Sequence, residues 1–278
     1  MSYSINVAVV GGGPAGVSCA LFLKRYEINV FVIEKRSVGG LIENAWNVEN
    51  IPLFPSTSGK EIARTLRESI EKNDITVVFD EIQMVQENKL IGVNGIYKSN
   101  VTVLATGTKP KRIEKFEIDK SVVYEYRDLP NNAKKVAFYG GGDVALDGAL
   151  RAFYEGKSPV IFVRSNVLRA VPRLINEVRK LGIPIHMEEE ILEVSKDKLE
   201  SLVIKTTKGI YNFDALLLAV GREVNLPTFD KQSNHTNFTN HIFIIGDAAH
   251  VNYRQASIAT GDGVLCAMRI IENYKNCK

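Results

Sequence analysis

The chain has 278 residues, of which 45% are hydrophobic and 24% charged, and its formal net charge is +3. This composition is that of a globular protein long enough for one large or two smaller α/β domains. The positive charge is too small and too scattered to indicate a nucleic acid partner, and no apolar run is long enough to span a membrane. We expect no signal peptide, and therefore a cytoplasmic protein that binds neither nucleic acid nor membrane.

The cysteines exclude two common kinds of site. Cys19, Cys266 and Cys277 form no CxxC pair and have no metal-ligand spacing. They indicate neither a disulfide framework nor a zinc centre, and we predict no metal site. Cys19 falls where the first predicted helix would pack on a sheet, so we expect a small buried side chain there rather than a reactive thiol.

The first predicted element is a strand–turn–helix–strand unit over residues 7–34. Two apolar strands, residues 7–10 and 28–33, flank the turn Gly11-Gly-Gly-Pro-Ala-Gly16 and a helix. In such a GxGxxG turn the glycines permit the tight turn, the approach of a pyrophosphate and close packing of helix on strand. Glu34 lies 18 residues beyond Gly16, near the position of an acid that accepts ribose hydroxyls. These residues predict a dinucleotide-binding unit.

The rest of the first half supplies a helix, a meander and a buried strand. A loop with Gly39-Gly40 precedes a helix that begins near Ser58. The alternation of apolar and polar residues over 82–98 predicts a β-meander. A buried strand, residues 100–104, ends in Ala105-Thr106-Gly107, and the charged segment 109–128 is predicted to be a linker.

The second half repeats this plan. A strand leads into a second GxGxxA turn, Gly140-Gly-Gly-Asp-Val-Ala145, and the next strand ends at Arg164. Further predicted elements are the helix 174–181, the strand 183–187, the meander 190–213 and the strand 215–219, which precedes Gly221-Arg222. We therefore infer a duplicated module rather than a solenoid repeat.

The last segment returns to a buried strand, residues 242–245, followed by Gly246-Asp247 and a helix from Ala256 to about Asn273. Asp247 follows the carboxyl end of a strand, where open α/β sheets bind their ligands. The sequence thus predicts a ligand-binding loop at this strand end.

Two nucleotide loops in one chain suggest electron transfer between two nucleotides. Glu34 fits a ribose with free hydroxyls, whereas Arg164 at the equivalent strand end attracts a 2′-phosphate. A flavin and a nicotinamide can exchange a hydride while the protein supplies geometry and electrostatics.

The sequence resembles the low-molecular-weight thioredoxin reductase family of FAD-dependent pyridine-nucleotide oxidoreductases. The resemblance covers essentially the whole chain and rests on these motifs: Gly11–Gly16 with Glu34, Gly39-Gly40, Val48-Glu-Asn50, Ala105-Thr-Gly107, Gly140–Ala145, Val163-Arg-Ser with Arg169, Gly221-Arg222, Gly246-Asp247 and Tyr253-Arg-Gln-Ala256. It implies an α/β fold of two Rossmann-like, three-layer ββα domains. The NAD(P)H-binding domain (116–222) would be inserted into a discontinuous FAD-binding domain (1–110 and 224–278), and any homodimer would use the FAD-binding domain.

The resemblance also implies the cofactors FAD and NADPH, with NADH as an alternative. Asp247 would bind the ribityl chain, Asn50 would lie beside the isoalloxazine ring, and residues 254–256 would contact the flavin. The residues implied for FAD are Gly11, Gly13, Pro14, Ala15, Gly16, Glu34, Lys35, Gly40, Leu41, Asn50, Ile82, Ala105, Thr106, Gly107, Gly246, Asp247, Arg254, Gln255 and Ala256. Those implied for NAD(P)H are Gly140, Gly142, Asp143, Val144, Ala145, Arg164, Arg169, Gly221 and Arg222.

Two departures from the family pattern change the expected chemistry. The stretch that carries CxxC in reductases of thioredoxin is Tyr124-Glu-Tyr-Arg-Asp128 here. We therefore expect no dithiol–disulfide mechanism within this chain. We predict no catalytic side chain, because the flavin itself would carry the chemistry. The His-Arg-Arg-x-x-x-Arg phosphate clamp keeps Arg164 and Arg169 but has Ser165 at its second arginine, which weakens the NADPH preference by roughly tenfold to a hundredfold.

The predicted function is an FAD-dependent NAD(P)H oxidoreductase whose electrons pass to an external acceptor. Candidate acceptors are ferredoxin or flavodoxin, a quinone, oxygen, or a disulfide on another protein. The alternative from another class is a flavin- or nucleotide-binding redox sensor without turnover. Trp46 and Tyr253 could stack on the flavin or fill core, and for His250 we favour a solvated or packed side chain over flavin contact.

Overall fold

The chain forms two compact units in a computed structural model that describes residues 5–52, 54, 56–198, 200–230 and 241–275. Unit 1 comprises residues 1–43, 48–109 and 223–278, and unit 2 comprises residues 44–47 and 110–222. Cys277 lies outside the described residues. Among the helices of the described chain, none has both the length and the apolarity needed to cross a bilayer.

Unit 1 is built on a five-stranded parallel sheet. Its strands are β1 (Asn6–Val10), β2 (Asn29–Glu34), β3 (Thr76–Phe79), β7 (Val101–Leu104) and β19 (Ile242–Ile244). Their order across the sheet is β19-β7-β1-β2-β3. A four-stranded sheet, in the order β18-β4-β5-β6, contains β4 (Ile82–Gln86), β5 (Lys89–Gly92), β6 (Ile96–Lys98) and β18 (Thr228–Phe229). The helices are α1 (Pro14–Lys24), α2 (Gly59–Lys72) and α5 (Ala256–Lys275).

Strand β1 shows why the first strand of the sequence is continuously apolar. Val7 and Val9 pack in the cluster that contains residues of α1 and α5, whereas Ala8 and Val10 pack in the cluster that contains the meander residues. Because successive side chains of a strand point to opposite faces, a strand covered on both faces needs apolar residues at every position. Unit 1 therefore has three layers, with the parallel sheet in the middle.

Unit 2 repeats the three layers. Its parallel sheet contains β9 (Val122–Val123), β10 (Lys135–Tyr139), β11 (Ser158–Val163), β12 (Ile185–Met187) and β16 (Ala215–Leu218), in the order β12-β11-β10-β16-β9. The meander consists of β13 (Ile191–Lys196), β14 (Leu202–Thr206) and β15 (Ile210–Phe213). The helices are α3 (Asp143–Tyr154) and α4 (Pro172–Lys180). The chain crosses between the units in β8 (Thr108–Pro110) and β17 (Arg222–Val224), which pair as a two-stranded sheet.

The two sheets have the same arrangement of strands in space, although the edge strand comes last in the chain in unit 1 (β19) and first in unit 2 (β9). In unit 2, β10, β11, β12, β16 and β9 take the places that β1, β2, β3, β7 and β19 take in unit 1, and every neighbouring pair is parallel. The predicted fold class, two Rossmann-like three-layer modules, is confirmed.

The prediction of a linker over 109–128 is wrong. Val122 and Val123 form the edge strand β9 of the unit 2 sheet, and Phe116 is a core residue that is 2% exposed. The apolar stretches in this segment are short and lie among many charged residues, so the sequence pattern does not predict them as core. The units also divide differently from the predicted domains at residues 44–47, which belong with unit 2.

Helices α1 and α5 cross closely in unit 1. A Cβ placed on Gly263 would overlap the backbone oxygen of Ala15, and it would lie 2.9 Å from the backbone nitrogen of Cys19. Cys19 and Cys266 are both buried in this contact, and the hydrogen bond between their thiols, together with burial, raises the pKa of Cys19. The expectation of a buried, unreactive Cys19 agrees with this packing.

This crossing predicts opposite effects for two glycine substitutions in one helix. Gly263→Ala should lower the free energy of unfolding by about 1–3 kcal/mol, because the clash is with backbone that cannot move alone. Gly261→Ala is the matched control, since its Cβ would meet no atom within 4 Å and alanine is the better helix former. Urea denaturation measures both, and equal stability of the two variants would contradict the close crossing.

Candidate functional site

The first glycine turn leaves free space next to the backbone where α1 begins. The Gly11 N–H donates to Ile33 O at 2.8 Å, and Gly11 has φ +106°. A Cβ on Gly11 would overlap Ala105 O, so only glycine fits there. A Cβ on Gly13, by contrast, would meet its nearest neighbour, the Cα of Gly40, only at 4.0 Å. The turn is thus tight at its start and open at the N-terminus of the helix, where an anion is stabilised.

Glu34 provides the negative charge beside this turn. It ends β2, it is buried, and its Oε2 accepts a hydrogen bond from the Gly12 N–H at 2.7 Å. Its Oε1 accepts the N–H of Arg36 at 2.9 Å. The carboxylate is therefore held at the strand end next to the turn, as an acceptor of ribose hydroxyls must be.

Neighbouring loops close around the same turn. The Gly39 N–H donates to Gly12 O at 2.8 Å, so the loop with Gly40 lies against the turn. Lys35 forms an exposed ion pair with Glu81 at 3.4 Å. Of the other residues implied for FAD here, Pro14, Ala15 and Gly16 open α1, Leu41 lies in the 3-10 turn after Gly39, and Ile82 begins β4.

The strand end at Ala105 carries a buried polar atom. The Ala105 N–H donates to Val10 O at 2.8 Å, which places residues 105–107 beside the first turn. The Thr106 hydroxyl is buried and has no hydrogen-bond partner among the described residues. Because an unsatisfied buried hydroxyl costs about 1–3 kcal/mol, this atom is suited to contact a bound ligand.

The carboxyl end of β19 is fixed by an acid that the sequence did not single out. Asp262, in α5, accepts the Gly246 N–H at 3.0 Å and lies 2.7 Å from His250 Nε2, both through Oδ2. The Oδ2 atom of Asp262 thus contacts both the backbone directly before Asp247 and the imidazole of His250. The His250 imidazole is therefore held by Asp262, although its side chain is 33% exposed. The two residues lie twelve positions apart in the chain, and the sequence alone does not predict their contact.

The start of α5 meets the loop at Asn50. The Asn50 Nδ2 donates to Gln255 Oε1 at 2.7 Å, and the Arg254 Nε donates to His250 O at 2.9 Å. Ala256 is the first residue of α5. Tyr253 is 73% exposed and so does not fill core. Asn50 thus contacts Gln255, next to Ala256, and Arg254 contacts the loop that begins at Gly246.

The second glycine turn reproduces the geometry of the first. The Gly140 N–H donates to Phe162 O at 2.9 Å, and a Cβ on Gly140 would overlap Ala219 O. Gly142 precedes α3, and its Cβ would meet no atom within 4 Å. Asp143 opens the helix, followed by Val144 and Ala145, and its Oδ1 accepts the Val171 N–H at 2.8 Å.

The two arginines of the expected phosphate clamp are exposed at this turn. Arg164 follows β11, and the Arg169 N–H donates to Gly141 O at 2.7 Å, which folds the loop 165–170 onto the glycine turn. Neither guanidinium forms an ion pair within the described part of the chain. Arg222 differs, because it forms an ion pair with Glu125 at 2.7 Å next to Gly221. The side chains of Arg164 and Arg169 are therefore exposed cations beside the second glycine turn.

Residues 44–47 pack within unit 2 through contacts that the sequence did not reveal. The ring of Trp46 stacks on Tyr154, with centroids 5.0 Å apart and planes 5° from parallel. The Trp46 N–H donates to Asp147 Oδ2 at 2.8 Å, and the Asn44 Nδ2 donates to Glu125 Oε2 at 2.7 Å. Trp46 is thus a packed residue of unit 2. Burial raises the pKa of Asp147 to about 6, although the backbone N–H groups of Trp46 and Asn47 donate to it and oppose the shift.

Comparison with known proteins identifies the family. Residues 5–263 match the family described as pyridine nucleotide-disulphide oxidoreductase. The chain belongs to this family. The predicted enzyme class, an FAD-dependent NAD(P)H oxidoreductase similar to thioredoxin reductase, is confirmed at the level of the family.

Individual relatives agree with this assignment. The chain is 28% identical to a thioredoxin reductase of Ureaplasma parvum over 295 residues, covering 95% of this chain and 94% of the relative. It is 27% identical to ferredoxin–NADP reductase 2 of Listeria innocua over 224 residues, covering 73% of this chain and 68% of the relative. The fold matches the thioredoxin reductase structure from Lactococcus lactis with a TM-score of 0.82 and 22% identity, covering 98% of this chain and 100% of that one.

The raised pKa of Asp147 predicts a pH-dependent stability. The pKa is about 6 in the folded protein against about 3.9 in an unfolded chain, so the folded protein holds this proton more tightly. The stabilisation by this proton is present at low pH and is lost as the pH rises through the folded pKa. Relative to Asp147→Asn, the wild-type free energy of unfolding should fall by up to about 3 kcal/mol between about pH 4 and pH 7.

Urea denaturation followed by the fluorescence of Trp46, the single tryptophan, measures this difference. Glu193→Gln, an exposed carboxyl in the same unit, serves as the control and should show no such pH-dependent difference. Parallel pH profiles for wild type and Asp147→Asn would contradict the prediction.

Proposed function

We propose that unit 1 binds FAD, that unit 2 binds NAD(P)H, and that the protein passes electrons from NAD(P)H through FAD to an external acceptor. The observation that carries this proposal is the repetition of one open glycine turn with opposite charges at the next strand end. Glu34 stands there in unit 1 and Arg164 in unit 2. An acid suits a ribose with free hydroxyls, and an arginine suits a phosphate.

The residues of unit 1 fit the parts of FAD. The N-terminus of α1 would hold the pyrophosphate with Gly13 and Gly40, Glu34 would accept the ribose hydroxyls, and the orphaned Thr106 hydroxyl would gain a partner. Asp247 and the Asn50–Gln255 pair would bind the ribityl chain and the ring system. The positive end of α5 would stabilise negative charge on the reduced ring.

Unit 2 offers a second pyrophosphate site at Gly142 and the N-terminus of α3. Arg164 and Arg169 lie at its edge and would attract the 2′-phosphate of NADPH. NADH remains the alternative donor, because Ser165 supplies no charge. FAD, when bound, would accept a hydride from the nicotinamide and release the electrons to the acceptor.

We propose further that no disulfide of this chain takes part. Cys19 and Cys266 are buried in the crossing of α1 and α5, and the hydrogen bond to Cys266 together with burial raises the pKa of Cys19, which disfavours its reactive thiolate. The acceptor would therefore be external: a small redox protein, a quinone or oxygen. The likeness to the Listeria ferredoxin–NADP reductase favours a ferredoxin- or flavodoxin-like partner among these.

A homodimer formed through unit 1 and a cytoplasmic location complete the proposal. Leu265 and Met268 are exposed apolar residues of α5, and they offer a surface for a second copy. The rival function, a redox sensor that binds nucleotides without turnover, makes a different prediction in the following experiment.

Anaerobic mixing with reduced nucleotide tests the proposed function. The yellow protein should lose its flavin absorbance on addition of NADPH or NADH, because both glycine turns are open to a nucleotide. Flavin that stays oxidised with both nucleotides would contradict the oxidoreductase function and favour the redox sensor without turnover. The same absorbance measurement before mixing reports how much FAD the chain holds.

Removal of all thiols tests the route of the electrons. A variant with Cys19→Ala, Cys266→Ala and Cys277→Ala should keep NAD(P)H-dependent reduction of ferricyanide within about twofold, because the thiols have no part in the chemistry. Thermal unfolding of the variant controls for loss of fold. Loss of activity in a folded, flavin-loaded variant would show that a thiol carries electrons.

A further inference from the structure

Glu188 lies at the strand end that carries Arg164. Its backbone N–H donates to Ser165 O at 3.2 Å, and the N–H of Glu189 donates to Val163 O at 3.0 Å. These two hydrogen bonds bracket Arg164 in the chain. The residue after β12 is therefore fixed beside the edge where β11 delivers its arginine.

The turn at Glu188 is held in a conformation that a glutamate rarely adopts. Glu188 has φ +53°, a left-handed conformation that a residue other than glycine keeps only where the surrounding structure imposes it. The next residue, Glu189, supplies that constraint, because it is buried, accepts from the Thr206 hydroxyl and lies 2.9 Å from His186 Nδ1. Burial alone would raise the pKa of Glu189, but these hydrogen bonds lower it, so it stays charged and anchored.

The Glu188 side chain is exposed and forms no ion pair within the described part of the chain. Glu190, two residues on, is exposed as well. Burial is the main cause that raises the pKa of Tyr139; Glu190 adds to the shift and Arg164 opposes it. Acidic and basic charges thus act on the same small region at this edge of the sheet.

Ser165 carries no positive charge at the position whose backbone oxygen accepts from Glu188. This position carries the second arginine in the family pattern, and here its hydroxyl donates to Val167 O at 2.9 Å within its own loop. A further cation lies at this turn, because the Lys208 Nζ donates to Met187 O at 2.8 Å, on the backbone directly before Glu188. A 2′-phosphate bound beside Arg164, with a charge near −2, would also meet the negative charge of Glu188.

We propose that Glu188 is a specificity-determining residue, which repels the 2′-phosphate of NADPH and accepts the ribose hydroxyls of NADH. The proposal rests on the proposed function of unit 2 as the NAD(P)H site. Glu188 offsets Arg164 and Arg169, so that the site accepts NADH as well as NADPH. Glu188 follows β12, whereas Arg164 and Arg169 follow β11, so the arginine motif alone does not reveal the acid.

Calorimetric binding of two nicotinamide-free probes, ADP-ribose and 2′-phospho-ADP-ribose, tests this role on the flavin-loaded protein. Glu188→Gln keeps the size of the side chain and removes its charge. It should raise the affinity for 2′-phospho-ADP-ribose relative to ADP-ribose about tenfold at low salt, and this gain should shrink as salt screens the phosphate. Arg164→Ala should shift the ratio in the opposite direction.

Glu200→Gln is the matched control. Glu200 is also an exposed glutamate with positive φ, but it lies on the turn at the far end of β13. An unchanged ratio in Glu188→Gln, or the same change in Glu200→Gln, would overturn the role of Glu188. Failure of the wild-type protein to bind either probe would instead overturn the proposed nucleotide site of unit 2.

Discussion

The glycine turns that follow β1 and β10 each pass so close to the end of a neighbouring strand that no side chain fits between them. A Cβ on Gly11 would overlap Ala105 O, and one on Gly140 would overlap Ala219 O. This contact turns the chain directly from strand to helix and points the helix N-terminus at the carboxyl edge of the sheet. The space left at Gly13 and Gly142 depends on it, and so does every charge that the next strand delivers to that space.

One architecture thus presents two open glycine turns, and each unit places different side chains at the strand edge beside its turn. Unit 1 adds an acid and an orphaned hydroxyl, Glu34 and Thr106. Unit 2 adds Arg164 and, from the following strand, Glu188. We interpret the first set as a flavin nucleotide site and the second as a site for a nicotinamide nucleotide. In the second site, Arg164 would favour the 2′-phosphate of NADPH and Glu188 would disfavour it.

Local sequence was sufficient for the elements whose cause is local. Continuous apolar strands such as β1, the glycine turns and the alternation of the meanders all follow from the geometry of successive residues, and they predicted the fold. Asp262, Asp147 and Glu188 were not predicted, because each acts on residues brought near only by the fold. The prediction for the segment 109–128 is wrong because its core side chains, Phe116, Val122, Val123 and Tyr126, are few and lie among charged residues.

The measurement that tests the division of labour most directly compares two valine substitutions at the open glycines. Both positions have space for a side chain in the protein itself, so the fold should survive. Gly13→Val should yield protein without flavin, whereas Gly142→Val should yield yellow protein that NADPH and NADH fail to bleach. Full flavin content in Gly13→Val, or wild-type bleaching in Gly142→Val, would contradict the assignment of FAD to unit 1 and NAD(P)H to unit 2.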